Sequence, residues 1–254
     1  MHSATFADLK GRSVVITGGA SGIGAGLVEG FAAQGARVAF VDILDGNEAA
    51  DRIGTATGNR PAAYQCDLTD LVALKSTFAQ IAEDQGPVLT LVNNAAQDDR
   101  HATLEVTPEY WHRALARNLD HQFFAAQAVL PGMQQAGGGT IINFSSISFI
   151  LGMGGMPAYT AAKSAIIALT RGLAREFGKD HIRVNSVAPG WILTERQLKL
   201  WATPETLVSI KDQQSLKRHL APADLVGPVL FLASDASGAV TGQCMIVDGG
   251  WTNG

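Results

Sequence analysis

Tyr159 and Lys163 stand four residues apart in the run YTAAK. On a helix that spacing puts both side chains on one face, one turn apart. A phenol and an ammonium ion so placed can share the work of moving a proton. Free tyrosine, with a pKa of about 10, is too weak an acid to ionise at neutral pH, and a neighbouring cation favours its phenolate. A second chemical pattern lies near the N-terminus, where TGGASGIG places Gly18, Gly22 and Gly24 between an apolar run and an apolar stretch. Glycine there permits a tight turn and lets backbone N–H groups and a helix N-terminus approach a pyrophosphate with no Cβ in the way. Asp42 ends the next apolar run, 18 positions after Gly24. A carboxylate at that place accepts hydrogen bonds from an adenosine ribose diol and repels a 2′-phosphate. With no Arg or Lys in TGGASGIG or directly after Asp42, the pattern favours NAD over NADP. Asp67, after a third run, is positioned either to reach the adenine amino group or to cap the helix that follows.

These groups meet only if particular elements carry them. Short β-branched runs alternate with amphipathic stretches throughout, the pattern of βαβ crossovers around a mainly parallel sheet. Strands are expected at 14–17, 38–42, 63–66, 88–93, 140–145, 182–188 and 244–247. Helices are expected at 23–34, from 71 onward with Leu71, Leu74, Phe78 and Ile81 on one face, at 108–135 as two helices meeting near Asn118, at 157–177 and at 222–233. Residues 190–220 show no clean strand signal and read as a loop. The expectation is a single doubly wound α/β Rossmann domain of about seven strands spanning 1–254, with no linker or repeat.

With TGGASGIG, the NNA of Asn93 to Ala95, Asn118, the Ser145-Ser146 pair, YTAAK and Pro189-Gly190 in order, the chain strongly resembles the short-chain dehydrogenase/reductase family over nearly its full length. The resemblance implies that Tyr159 is the base for a substrate hydroxyl and that Lys163 tunes it and binds the nicotinamide ribose. Ser146, 13 residues before Tyr159, would hold the substrate oxygen. Asn118 would anchor a water that passes protons from Lys163 to solvent. Gly18, Ser21, Gly22, Ile23, Gly24, Asp42, Asp67, Leu68, Asn94, Tyr159, Lys163, Pro189, Gly190, Ile192 and Thr194 would line the NAD site, and no metal is implied. One departure is Ala96, where the family usually has Gly after NNA. A homotetramer is also implied.

The segments PGWILTERQLKLWATPE, from Pro189, and QDDRH, from Gln97, resemble those of the bacterial NAD-dependent aldose 1-dehydrogenases of this family. A polyol needs several hydrogen-bonding groups and an aromatic face for its C–H bonds. Asp98, His101, Trp191 and Arg196 are the candidates, beside Ser146 and Tyr159, with Arg100, Glu195 and Gln197 adding polar groups. The expected substrate is a pentose such as D-xylose or L-arabinose, or a hexose such as galactose or L-fucose. Rivals on the same scaffold are a β-ketoacyl thioester reductase, which Asp42 argues against when it uses NADPH, a dehydrogenase or reductase of another secondary alcohol or ketone, and a regulator that senses the cofactor without turnover.

Composition agrees with this reading. The 254 residues carry 19 basic and 23 acidic side chains, a net charge of −4, with neither sign gathered into a block, so nucleic acid is not an expected partner. Cys66 and Cys244 stand alone and far apart, which points to free thiols and a reducing compartment. No apolar run approaches the ~18 residues that would span a bilayer, and the expected location is the cytoplasm.

Overall fold

Along the first strand Val14 and Ile16 bury to one side and Val15 to the other, and Val38 and Phe40 alternate with Ala39 and Val41 in the same way on the second. A strand apolar on both faces is stable only when helices cover both faces of its sheet. The computed structural model, which describes residues 4–253, has that arrangement. Its strands are β1 (Ser13–Thr17), β2 (Arg37–Asp42), β3 (Ala62–Gln65), β4 (Thr90–Asn93), β5 (Gly139–Phe144), β6 (Ile182–Pro189) and β7 (Cys244–Val247). All neighbours are parallel, in the order β3-β2-β1-β4-β5-β6-β7.

The helices are α1 (Gly22–Ala33), α2 (Asn47–Thr57), α3 (Leu71–Gln85), α4 (Pro108–Leu115), α5 (His121–Gln135), α6 (Pro157–Phe177), α7 (Glu195–Leu200), α8 (Pro204–Gln213) and α9 (Ala223–Ala233). Leu27, Phe31, Ile53 and Val229 bring α1, α2 and α9 onto one face, and Phe78, Val129 and Leu173 bring α3, α5 and α6 onto the other. Each such side chain contributes about 1.5–3 kcal/mol by leaving water.

The expected elements are present, several with ends shifted by one residue, and four differences bear on the site or on how the sequence reads. Helix α2 was not expected, because only Ala50 and Ile53 of it are buried and so short a stripe carries little periodicity. The 190–220 loop contains α7 and α8, whose only buried residue is Ile210. Their starts are marked instead by capping threonines, Thr194 and Thr203. Strand β4 begins at Thr90, not at residue 88: Val88 is buried in the core but precedes the first paired residue. Strand β5 ends at Phe144, which leaves Ser145 beyond the strand.

The order reverses between β1 and β4, and in such sheets ligands bind outside the carboxyl ends at that point. Thr17 ties the two strand ends together there, its Oγ1 accepting from the N–H groups of Asn94 and Ala95 at 3.0 and 3.1 Å. Among the described residues no helix is long and apolar enough to cross a membrane, and Cys66 and Cys244 are both free thiols.

Candidate active site

The glycine turn is built so that its backbone stays bare. Gly18 has φ +69°, a left-handed conformation that favours glycine, and a Cβ on it would stand 2.9 Å from Cα of Ala95. A Cβ on Gly24 would run into the Gly18 carbonyl oxygen. Ser21, at the N-cap of α1, makes no side-chain capping bond, and the first turn holds no acidic residue. The leading N–H groups of α1 therefore point into the cleft, a fit for the pyrophosphate of a dinucleotide. Asn94 holds the turn from behind, its Nδ2 donating to the carbonyls of Thr17 and Gly18 at 3.0 and 3.1 Å.

From this turn an open cleft of about 920 Å³ runs along the carboxyl ends of the strands. Gly18, Ser21, Gly22, Ile23, Gly24, Asp42, Asp67, Leu68 and Asn94 line it, as do Pro189, Gly190, Ile192 and Thr194. Asp42, 9% exposed, accepts from the Ala20 N–H at 2.9 Å and the Leu44 N–H at 3.1 Å. A carboxylate has about four lone-pair sites, so it keeps capacity for a diol. The exposed residues that follow are Ile43 and Leu44, which offer no cation to a 2′-phosphate. Asp67 does not cap α3. Asp70 does so, accepting from Val72 and Ala73 N–H at 3.0 Å, while Asp67 accepts from Thr69 N–H and Oγ1–H, which hold its carboxyl below the usual carboxylate range.

At the other end α6 presents Tyr159 and Lys163 from its first two turns. Ser145 is buried and donates to the Lys163 carbonyl at 2.6 Å, which pins α6 to the end of β5. Ser146 faces the cleft, its Oγ accepting from Ser148 N–H at 3.1 Å, and stands near enough to Tyr159 to draw its phenol pKa downward. Lys163 is 1% exposed, its Nζ donating to the Phe144 carbonyl at 2.8 Å and lying 5.5 Å from the centre of the Tyr159 ring. In the chain alone burial wins over charge. It drives the Lys163 pKa down to about 7, with the Asp98 carboxylate opposing. It pushes the Tyr159 phenol up, Asp98 adding to the rise and Ser146 opposing it.

Asn118 lies off the cleft, in a π-helical turn (Ala116–Asp120) between α4 and α5. π turns recur at functional sites. Its Oδ1 accepts from Gln97 N–H at 2.8 Å, and its Nδ2 donates to the Gln97 and Ala114 carbonyls at 3.1 and 2.9 Å. Both amide hydrogens are thus spent on backbone, and the side chain clamps Gln97. Asn118 and Tyr159 border a separate pocket of about 50 Å³.

The substrate candidates Asp98, Trp191 and Arg196 line the same cleft as Tyr159, where two segments latch together. Arg196 pairs with Asp98 at 3.4 Å and with Asp99 at 3.3 Å, and Gln197 donates to Asp98 at 2.7 Å. Arg100 lies 4.3 Å from the centre of the Trp201 ring and 5.7 Å from that of Trp191, a cation–π stack. His101 corrects the expectation. It is not at the cleft wall; its Nδ1 lies 2.6 Å from the Tyr110 hydroxyl, and the two rings pack edge to face. Sequence reasoning also missed residues that the fold brings in, namely Asp99, Trp201 and His121. Of these His121 had a signal, a polar residue opening an otherwise apolar helix face.

Among the described residues no three His, Cys, Asp or Glu side chains come together as a metal-ligating group. A family described as enoyl-(acyl carrier protein) reductase matches residues 18–252. A protein of Rhizobium meliloti (strain 1021) named "Probable galactose dehydrogenase GalD" is 52% identical over 252 residues, 98% of each chain. A D-xylose 1-dehydrogenase of Caulobacter vibrioides is 48% identical over 99% of this chain and 100% of its own. The fold superimposes with a TM-score of 0.92, at 36% identity over 97% of this chain and 99% of the other, on the crystal structure of a "putative NAD(P) dependent gluconate 5-dehydrogenase" from Beutenbergia cavernae with bound NADP at low occupancy.

Proposed function

The chain belongs to the short-chain dehydrogenase/reductase family, and on that premise we propose that this oxidoreductase of CH–OH groups oxidises the C1 hydroxyl of a cyclic aldose to the lactone with NAD. The observation that carries the reading is that Ser146, Tyr159 and Lys163 line one dinucleotide-sized cleft together with the polar and aromatic latch residues Asp98, Trp191 and Arg196. The relatives named for galactose and D-xylose support it. A nicotinamide dinucleotide, when bound, supplies the two-electron acceptor and a positive charge beside the phenol. Tyr159 takes the hydroxyl proton, Ser146 donates a hydrogen bond to the substrate oxygen, and the Lys163 ammonium favours the phenolate. Trp191 offers its ring to the C–H face of the sugar. Asn118 sets the position of Gln97 beside this group.

A panel of aldoses and simple secondary alcohols, each with NAD and with NADP, tests the reading by the absorbance of the reduced nicotinamide. Turnover is expected with a pentose or galactose-like hexose and NAD. Turnover confined to simple alcohols or to acyl thioesters would remove the aldose assignment. Four copies of the chain are expected in solution, and light scattering at micromolar concentration checks this; a monomer would contradict it.

Asp42 is proposed as the group that selects NAD. Asp42→Ala removes ribose hydrogen bonds worth roughly 1.5–3 kcal/mol, an expected ten- to hundredfold weakening of NAD binding, with NADP gaining relative to NAD. Because the carboxylate also holds the Ala20 and Leu44 N–H groups, the variant loses some thermal stability as well. Titration with both dinucleotides measures the preference, and an unchanged ratio would show that Asp42 does not discriminate.

A further inference from the structure

His121 opens α5, three positions after Asn118, and is 1% exposed. Its imidazole lines the same cleft as Lys163; the backbone of Ala95 and Arg117 lies close enough to act on it, but neither ring nitrogen reaches a partner at full hydrogen-bond geometry. A buried imidazole left so is costly unless a polar group reaches it. Lys163 has the complementary need. An ammonium has three N–H donors, and the protein gives Lys163 Nζ one acceptor, the Phe144 carbonyl, which also receives Gln122 Nε2 at 3.3 Å. Unmet donors and an unmet acceptor thus line the same cleft, near enough that the Lys163 charge acts on the imidazole.

Building on the reading of Tyr159 and Lys163 as the acid–base pair, we propose that neutral His121 is a positioning residue for Lys163: one ring nitrogen accepts, through a single bridging water, from the ammonium and keeps the proton on it. A bridging water costs little and serves nearly as well as a direct hydrogen bond. Lys163 is the charged group that acts on the imidazole, and Tyr159, Asp98 and Arg117 are titratable or charged groups lining the same cleft. Burial first, and the Lys163 charge second, hold the His121 pKa at about 4, the backbone of Ala95 and Arg117 acting the other way. The acceptor is therefore available at neutral and alkaline pH.

Nitrogen NMR of the imidazoles in the full chain, without substrate or dinucleotide, reads this contact from about pH 5 to about pH 10. The His121 signal is the one lost in His121→Gln. It should stay neutral throughout, shift through a step that tracks Lys163, and lose that step in Lys163→Met. An imidazole that protonates near the ordinary ~6.5, or one indifferent to Lys163→Met, overturns the proposal. In turnover, where the bound dinucleotide adds a positive charge beside the phenol, His121→Leu should lower the alkaline plateau about tenfold and move the midpoint about one unit toward acid, because the pair in that complex then loses its first proton from Lys163 instead of Tyr159 and leaves an inactive Tyr–OH with a neutral amine. His121→Gln, which can still accept, should restore both. Equal losses in the two variants with an unmoved midpoint would assign the residue to packing and overturn the proposal. If the Leu variant does not fold, the NMR comparison decides. If no aldose is oxidised, the function proposed above fails while the NMR arm still tests His121.

Discussion

Tyr159→Phe is expected to lower kcat by at least the ~10²-fold of a lost general base while changing dinucleotide affinity little. The phenylalanine ring keeps the place of the tyrosine ring above Lys163, 5.5 Å from its Nζ, so packing survives. What disappears is the hydroxyl beside Ser146, the group that would receive the substrate proton. The wild-type rate should rise with pH through one apparent ionisation below the ~10 of free tyrosine. That ionisation belongs to the coupled pair: burial pushes Tyr159 up and Lys163 down to about 7, so neither group titrates alone. Single-turnover kinetics on sugar and NAD separates the chemical step from binding. Near-normal turnover in the Phe variant, or a flat profile from neutral to alkaline pH with the chemical step limiting, would end the assignment of Tyr159 as base.

The parts of this site that were legible in the sequence are those whose physics is local. TGGASGIG announces a bare backbone because glycine is required where φ is positive or a Cβ has no room, and both hold here, at Gly18 and Gly24. Tyr159 and Lys163 are one helical turn apart, so their spacing alone places them together. The choice of Ser146 over Ser145 came from family spacing, and the geometry supplies a physical basis, since Ser145 is spent on the Lys163 carbonyl. What was not legible depends on pairs far apart in the chain. Asn118 clamps Gln97 from 21 positions away, and Arg196 meets Asp98 across 98. His101 carries a plausible sugar-binding chemistry, yet Tyr110 takes its Nδ1, a competition that no residue count reveals. Helices α2, α7 and α8 bury almost nothing, so hydrophobic periodicity could not mark them, although capping threonines did for the last two.

Lys163→Met is expected to lose turnover by ~10²-fold or more and to make the apo protein more stable, by on the order of a few kcal/mol below neutral pH. The ammonium is almost wholly buried, and burial is the first cause of its fall to about 7 from an ordinary 10.5. Below about pH 7 both the folded and the unfolded chain hold the proton, and the folded chain bears the cost of burying the charge. Between about 7 and the unfolded value the unfolded chain binds the extra proton, so wild-type stability from this group rises with pH. The advantage of the Met variant should therefore be largest in acid and fade toward pH ~10. Methionine fills a similar volume, and the Phe144 carbonyl keeps the Gln122 amide as a donor, so no buried acceptor is orphaned by the change. Above ~10 a second linkage of opposite sign enters, because Tyr159 keeps its proton in the folded chain when the unfolded chain ionises. Urea unfolding of both proteins at several pH values reads all of this without substrate. A Met variant less stable than wild type in acid, or a stability difference independent of pH, would mean that Lys163 is not held against a desolvation cost, and that the cleft solvates its charge as well as water does.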